Sequence, residues 1–206
     1  MRKLVVTENM TVDGVIDMAA GWFDPLAEDV DQSDITAANT EHREAADALL
    51  VGRDTFEAFR GFWPRRTDDR TGVSGYLNAV EKYVVSSTLD EPGWENTTVM
   101  RGDPVAEVQA LKAAEGRDIV ATGSVQLVHA LIAAKLVDEY RLFVFPVVVG
   151  RGARLFESAD VPLRLLEARP FVSGAVLLRY ASSELGRRAA RRARGARRGN
   201  ARCGSP

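Results

Sequence analysis

The chain has 206 residues, of which 46% are hydrophobic and 27% are charged, and its formal net charge is −2. These values are typical of one globular domain with a full hydrophobic core. A single cysteine, Cys203, excludes an internal disulfide framework and favours a cytoplasmic protein, and two distant histidines leave no zinc or other metal site to expect. No apolar stretch approaches the ~20 residues that a membrane-spanning helix needs.

Charge is unevenly distributed between the body of the chain and its C-terminal end. Eight arginines follow residue 186, and the preceding residues carry 19 basic and 29 acidic side chains, a net charge of −10. An acidic body binds phosphate backbones poorly, so nucleic-acid or partner binding is expected only through the Arg-rich end. We predict one domain over residues 1–183 and a disordered tail over residues 184–206, because the tail has no apolar stripe.

Apolar periodicity and turn residues divide the domain into strands and helices. The charged segment 65–75 is expected to be a surface loop. In chain order, the predicted elements are strand 3–10, helix 33–48, strand 48–51, helix 55–62, strand 82–86, strand 97–100, helix 103–116, strand 118–121, helix 124–136, strand 140–149, strand 163–168 and strand 175–180. Strands that alternate with helices, followed by a hairpin near Ser173-Gly174, predict an α/β sandwich with a mostly parallel sheet and an antiparallel C-terminal edge.

Three strand ends carry residues that suit an anion. They are Gly52-Arg53-Asp54-Thr55, Ser86-Ser87-Thr88 and the segment from Thr122 to Gln126. Glycine allows close approach of the backbone, a helix N-terminus offers free N–H groups, and Arg53 can hold a phosphate through two hydrogen bonds. Each segment alone is also compatible with an ordinary capped turn.

Taken together, these three segments favour a dinucleotide. In open α/β sheets, ligands bind at the edge formed by the C-terminal ends of the strands. Neither a G-x-G-x-x-G pattern after the first strand nor a G-x-x-x-x-G-K-[ST] pattern is present, which disfavours an ordinary Rossmann site and a P-loop.

Two longer signatures point to a family. Gly52-Arg53-Asp54-Thr55-Phe56-Glu57 precedes Phe62-Trp63-Pro64, and a second run extends from Gly123 through Pro146 and Gly150-Arg151-Gly152 to Phe156. With the Thr11–Gly14 turn, they resemble dihydrofolate-reductase-like proteins, which are related to the C-terminal reductase domain of the bifunctional riboflavin biosynthesis enzyme. The resemblance covers residues 2–181. It implies a dihydrofolate reductase-like three-layer sandwich, with helices on both faces of the sheet, that binds NADPH.

The resemblance also implies roles for residues that match the family pattern. The implied cofactor-binding residues are Gly52, Arg53, Thr55, Ser86, Ser87, Gly123, Ser124, Val125 and Gln126. Arg53 and the two serines of the 86–87 pair would lie at the 2′-phosphate, and the segment 123–126 would cradle the pyrophosphate with Thr55. Pro146 and residues 150–152 would lie nearer the nicotinamide. The family usually has two glycines where this chain has Thr122-Gly123.

Fewer residues indicate where the substrate binds and which group delivers a proton to it. Folate reduction in this superfamily uses a pocket carboxylate, for which the candidates are Asp13, Asp31 and Asp34. We predict Asp13 as the catalytic acid, and the alternative is a turn aspartate that caps its own backbone. Trp22 and Trp63 are predicted to stack on a flat heterocyclic substrate, or alternatively to anchor the core or a loop.

These observations predict an NADPH-dependent reductase that transfers hydride to a pteridine- or pyrimidine-like small molecule. A riboflavin-pathway substrate is favoured over dihydrofolate, although no deaminase H-x-E…P-C-x-x-C pattern is present. Two alternatives stay open: an NADPH-binding module without turnover, such as a redox sensor, and a protein that binds nucleic acid or a partner through its tail. The resemblance also implies a homodimer that pairs through the C-terminal strands.

Overall fold

The computed structural model describes residues 1–18, 21–24, 31–157 and 160–183. The Arg-rich tail lies outside these residues, so its disorder and any binding through it stay predictions. The elements, in chain order, are β1 (Leu4–Thr11), α1 (Ser33–Glu44), β2 (Ala46–Gly52), α2 (Arg53–Phe62), α3 (Val73–Ala79), β3 (Glu81–Val85), β4 (Thr97–Met100), α4 (Pro104–Ala113), β5 (Asp118–Ala121), α5 (Val125–Ala133), β6 (Glu139–Phe145), β7 (Leu163–Pro170) and β8 (Val176–Ser182).

All eight of these strands belong to one sheet, in the order β4-β3-β2-β5-β1-β6-β8-β7. The pairs from β4 to β6 are parallel, and β8 pairs antiparallel with both β6 and β7. Parallel neighbours require crossover connections, which helices supply except between β3 and β4, where the segment 86–96 makes the connection. β7 and β8 are joined by a short turn at Phe171–Gly174. The predicted mostly parallel sheet with an antiparallel C-terminal hairpin is confirmed.

Helices cover both faces of this sheet, as the alternation of side chains along β2 shows. Ala48 and Leu50 belong to the core beneath α4 and α5, whereas Leu49 and Val51 pack against α2 and α3 on the opposite face. On that second face, α1 covers the other half of the sheet and packs against β6 and β8. The predicted three-layer sandwich is therefore confirmed.

The segment predicted to be a loop over residues 65–75 leads into a helix, α3. Asp69 accepts hydrogen bonds from the N–H of Ser74 at 2.7 Å and of Thr71 at 2.8 Å, and these bonds fold the charged segment back on itself. The Ser74 hydroxyl donates to the carbonyl of Trp63, and Leu77 is buried. Seven residues that include Gly75 are too short for an apolar period, so the sequence pattern misses this helix.

Several predicted elements end earlier than expected, and two of them by four residues. The strand predicted over 140–149 ends at Phe145, because Pro146 has no N–H for the ladder and the chain then turns towards the β1 end. The helix predicted over 33–48 ends at Glu44, and β2 begins two residues later.

Candidate cofactor and substrate site

The structure brings the three predicted anion turns to one edge of the sheet, because β3, β2 and β5 are neighbours. Hydrogen bonds join two of these turns directly. The N–H of Gly52 donates to the Ser124 hydroxyl at 2.6 Å, and the N–H of Ser124 donates to the Thr55 hydroxyl at 2.8 Å. We call Gly52, Thr55 and Ser124 the α2–α5 bridge, since they hold the N-termini of these helices side by side.

The backbone of the turn from Thr122 to Gln126 is suited to close approach by an anion. Gly123 and Ser124 both adopt left-handed conformations, with φ of 59° and 53°. A Cβ at Gly123 would lie 2.8 Å from the Thr55 hydroxyl, so glycine is required there. The hydroxyls of Thr55 and Ser124 accept hydrogen bonds in the bridge, so each O–H group remains able to donate to an anion. The first N–H groups of α2 and of α5, including those of Val125 and Gln126, are further donors at this edge.

Arg53 supplies a positive charge at the part of this edge where β2 and β3 end. Its Nη1 donates to the Thr88 hydroxyl at 2.9 Å, and 46% of its side chain is exposed, so the guanidinium is accessible to a phosphate. The Ser86 hydroxyl accepts hydrogen bonds from the N–H groups of Thr88 and Leu89 and thereby shapes the turn. Ser87 is exposed beside it. The three residues predicted for the 2′-phosphate thus lie together, with Arg53 as the charged group.

A cavity of about 730 Å³ lies next to the bridge, between the sheet and the helices α1, α2 and α3. Thr122, the residue before Gly123, lines it, so the cavity and the anion turns are continuous. Much of the wall is aromatic. The rings that line the cavity are those of Phe23, Phe59, Phe62, Trp63, Tyr76, Phe143 and Phe145. A flat, largely apolar molecule fits such a wall.

The two predicted tryptophans contribute to this wall in different ways. Trp63 is 6% exposed, packs edge-on against Phe62 at 4.8 Å, and presents part of its surface to the cavity. Trp22 donates its indole N–H to the carbonyl of Asp17 at 2.8 Å, and its ring lies 5.9 Å from that of Phe145. Trp22 therefore supports a lining ring from behind.

The predicted acid, Asp13, is engaged in a turn. Its carboxylate accepts hydrogen bonds from the Thr11 hydroxyl at 2.6 Å and from the N–H of Gly150 at 2.8 Å, and Val149 adds a longer one. These bonds, led by that of Thr11, lower the pKa of Asp13 to about 2. A carboxylate held in this way fastens the Thr11–Gly14 turn to the segment after β6. A catalytic role for Asp13 stays a prediction, and its contacts favour the structural alternative.

The other predicted acids accept hydrogen bonds from backbone N–H groups, one at the start of α1 and one in the turn between β7 and β8. Asp31 accepts a hydrogen bond from the N–H of Ser33 at 2.9 Å, and Asp34 accepts one from the N–H of Val172 at 2.8 Å. The residues of α1 that line the cavity are Ile35, Thr36, Asn39, His42 and Arg43. Within the described part of the chain, α1 thus presents polar and basic side chains to the cavity rather than a carboxylate.

Sequence reasoning missed a group of buried polar atoms beside the cavity, of which those of Thr7 and His42 belong to residues that line it. The Thr7 hydroxyl, both ring nitrogens of His42 and Nη1 of Arg141 are buried without a hydrogen-bond partner among the described residues. Thr7 and Arg141 are paired in β1 and β6, so their side chains share one face, and the His42 ring lies 6.1 Å from that of Phe143 on the same face. We call Thr7, His42 and Arg141 the floor group.

His42 is neutral in this setting. Burial and then the nearby positive charge of Arg141 lower its pKa to about 4. A neutral imidazole offers one donor and one acceptor. The steps from Ile35 to Ala38 to His42 place this histidine on the buried face of α1, and this spacing was the sequence signal that could have identified it.

A family model for the C-terminal domain of RibD matches residues 2–177. The chain belongs to this family. It is 30% identical over 184 residues to the uncharacterised protein YyaP of Bacillus subtilis, a match that covers 87% of this chain and 94% of YyaP. The family is one of reductases, which supports the coarse assignment of this chain as an oxidoreductase.

Solved structures share the fold. A putative riboflavin biosynthesis protein from Shewanella sp. PV-4 superposes with a TM-score of 0.66 at 19% identity, covering 88% of this chain and 99% of that one. The dihydrofolate reductase of Enterococcus faecalis, solved with NADP(H), superposes with a TM-score of 0.61 at 19% identity, covering 88% and 97%. The fold of this RibD-family chain is therefore dihydrofolate reductase-like.

Two further findings concern the described residues alone. No helix among them is both long enough and apolar enough to cross a membrane. No cluster of three or more His, Cys, Asp or Glu side chains in the same residues is arranged to hold a metal ion.

Proposed function

We propose that this RibD-family protein is an NADPH-dependent reductase that transfers hydride to a pteridine- or pyrimidine-like small molecule. The observation that carries the proposal is the α2–α5 bridge, which sets two helix N-termini against one edge of an aromatic-walled cavity. Free N–H groups and the positive ends of two helix dipoles suit a pyrophosphate, and the cavity has room for a ring beside it.

The residues present fit NADPH at both ends of this edge. The N–H groups of Val125 and Gln126 would hold the pyrophosphate. They follow Gly123, where no other residue fits beside Thr55. The exposed guanidinium of Arg53 would hold the 2′-phosphate that distinguishes NADPH from NADH. When bound, the cofactor supplies a hydride for the carbon of a C=N or C=O bond, and the adjacent nitrogen or oxygen then takes up a proton.

The floor group supports a polar heterocycle as the substrate. The Thr7 hydroxyl can donate or accept a hydrogen bond, and the neutral imidazole of His42 offers one donor and one acceptor. The buried Nη1 of Arg141 lies on the same face of the sheet but outside the cavity lining. Unpartnered buried polar atoms cost free energy, so a ligand that satisfies them gains affinity over one that does not. The polar edge of a flat heterocycle, with its ring against the aromatic wall, satisfies both parts of the cavity.

Equilibrium binding of NADPH and NADH tests the cofactor half of the proposal. We expect NADPH to bind more tightly than NADH, and Arg53→Ala to weaken NADPH binding at least tenfold, about 1.4 kcal/mol, with a much smaller effect on NADH. Arg164→Ala is the matched control, because this exposed arginine lies on β7 at the antiparallel edge. Binding of neither nucleotide would remove the proposal.

A nucleotide-binding module without turnover is the second candidate. It is favoured by the engagement of Asp13 in a turn, where the pKa of about 2 keeps it ionised and unable to deliver a proton near neutral pH. Oxidation of NADPH in the presence of a panel of pterins and pyrimidines that carry a reducible C=N or C=O bond separates the two candidates. Tight binding with no oxidation above background for every compound would favour the second one.

We also propose that two copies pair through the C-terminal strands. β7 is the edge strand of the sheet, and its Leu165 and Leu166 are 52% and 40% exposed. Exposed apolar side chains on an unpaired edge favour association. Sedimentation velocity should show a dimer that Leu165→Lys converts to a monomer, and a monomeric wild type would contradict the pairing.

A further inference from the structure

Glu8 lies beneath the anion turn on the face of the sheet opposite the cavity. β1 pairs with β5 so that Val6 faces Ala121, which places Glu8 two residues further on, beside Gly123. The side chain shares its face with the apolar core that contains Leu4, Val6 and Met10, and the residue is 2% exposed. The carboxyl group accepts a hydrogen bond from the N–H of Gly123, and its Oε1 has no partner among the described residues.

The surroundings of Glu8 contain little to stabilise a negative charge. The titratable residues of the core on this face are tyrosines, namely Tyr140 and, packed against it at the margin, Tyr83 and Tyr180. Burial raises the pKa of Tyr140 to about 12, so it stays neutral. On α5, His129 is turned outward and bonded to the carbonyl of Arg154. On α4, Lys112 binds the carbonyl of Leu136 at the opposite end of the strands. Burial therefore outweighs the bond from Gly123 and raises the pKa of Glu8 well above its ordinary value.

An ionised Glu8 would act against an anion at the turn in two ways. It would repel the anion across a poorly screened interior, where charges interact more strongly than in water. It would also accept the Gly123 N–H as an anion and so neutralise part of the positive end of the α5 dipole. A protonated carboxyl group still accepts a hydrogen bond from the Gly123 N–H through its carbonyl oxygen. Because it carries no charge, the positive end of the α5 dipole remains available to the ligand.

We infer that Glu8 is a positioning residue that couples nucleotide binding to a proton: the phosphates of the dinucleotide occupy the Gly123 turn when Glu8 is protonated, and its ionisation releases them. This inference rests on the proposed function, because it assumes that a dinucleotide binds at the α2–α5 bridge. Binding then takes up as much as one proton, and the affinity falls as the pH rises.

Glu8→Gln is the matched variant, because the amide has the size of the acid and retains an acceptor for Gly123. We expect the wild-type Kd for NADPH to rise with pH as Glu8 ionises, by at most tenfold per pH unit and at least tenfold in total. The Kd of Glu8→Gln should follow only the titration of the 2′-phosphate, whose pKa is near 6. Repeating the titrations with NADH, which lacks this phosphate, isolates the contribution of Glu8.

Calorimetry of the wild type in two buffers of different ionisation enthalpy provides a readout that needs no variant. Net proton uptake on NADPH binding above neutral pH supports the inference, and its absence overturns it even if Glu8→Gln fails to fold. Parallel pH profiles for the wild type and Glu8→Gln overturn the inference alone, and the proposed function survives. Failure of both nucleotides to bind the wild type at every pH overturns the proposed function, and this inference with it.

Discussion

The Gly123→Ala substitution tests whether the α2–α5 bridge holds the anion turn. Gly123 has a φ of 59°, and an added Cβ would lie 2.8 Å from the hydroxyl oxygen and 2.9 Å from the methyl carbon of Thr55. Both distances are shorter than a carbon atom tolerates, so the Thr55 side chain must rotate. Rotation breaks its hydrogen bond to the N–H of Ser124, which is 2.8 Å long.

The cost has two separable parts. A left-handed conformation disfavours alanine by roughly 1–2 kcal/mol. Loss of the Thr55–Ser124 hydrogen bond adds about 1 kcal/mol. We therefore expect Gly123→Ala to lower the free energy of unfolding by about 2–3 kcal/mol. NADPH binding should weaken at least tenfold, because the N–H groups of the turn lose their alignment.

Urea unfolding with and without NADPH measures both effects. Gly61→Ala is the control, because Gly61 lies in α2, an added Cβ there would meet open space, and alanine favours helix by about 1 kcal/mol. In the double variant with Thr55→Ala, the added Cβ no longer meets the Thr55 hydroxyl and methyl groups, and the hydrogen bond to Ser124 is lost only once. The destabilisation by the double variant should therefore be smaller than the sum of the two single effects. A Gly123→Ala protein as stable as the wild type would refute the argument that the bridge constrains this turn.

Two further predictions concern buried charge and pH. The pKa of His42 is about 4 in the folded protein and about 6.5 when unfolded, so the unfolded state protonates first and stability is lost as the pH falls from 6.5 towards 4. Between pH 6.5 and pH 4, the free energy of unfolding of His42→Gln should fall by about 2.6 kcal/mol less than that of the wild type, measured by urea unfolding. Equal losses would show that His42 does not titrate as described. Lys82 is 1% exposed and its ammonium donates to the carbonyls of Leu77 at 2.7 Å and Val80 at 2.8 Å, which close the end of α3. Lys82→Met should lower the free energy of unfolding by about 2 kcal/mol, and an unchanged thermal midpoint would contradict this role.

The topology could be predicted because each of its determinants is local. Buried strands such as β2 appear as continuous apolar runs, and the residues that end them, such as Gly52, mark the turns. Parallel strands align their C-terminal ends, so the predicted anion turns had to meet once β3, β2 and β5 became neighbours. Position along the chain was enough to place Arg53 and Gly123 at the same edge.

The contacts within the site could not be predicted, because they depend on dihedral angles and strand register. The bridge requires Ser124 in a left-handed conformation, which is uncommon for serine and leaves no mark in the sequence. The floor group requires Thr7 and Arg141 to be paired in a specific register between strands far apart in the chain. The available signal in the sequence was Arg141, a charged residue in the predicted strand, two residues after Glu139. In the structure Arg141 is buried and donates to Glu139 at 2.9 Å. This signal becomes informative only when the register is known.

The separation between the α2–α5 bridge and the cavity walls has a consequence for how such a protein can diversify. The bridge consists of three residues at two helix starts, and its hydrogen bonds run between them. The walls are built largely from α1 and from the segment 58–77. Substitutions on those walls change the shape and polarity offered to a substrate while the bridge keeps its own internal bonds. The frame that we propose for dinucleotide binding can therefore be inherited unchanged by descendants that act on different molecules.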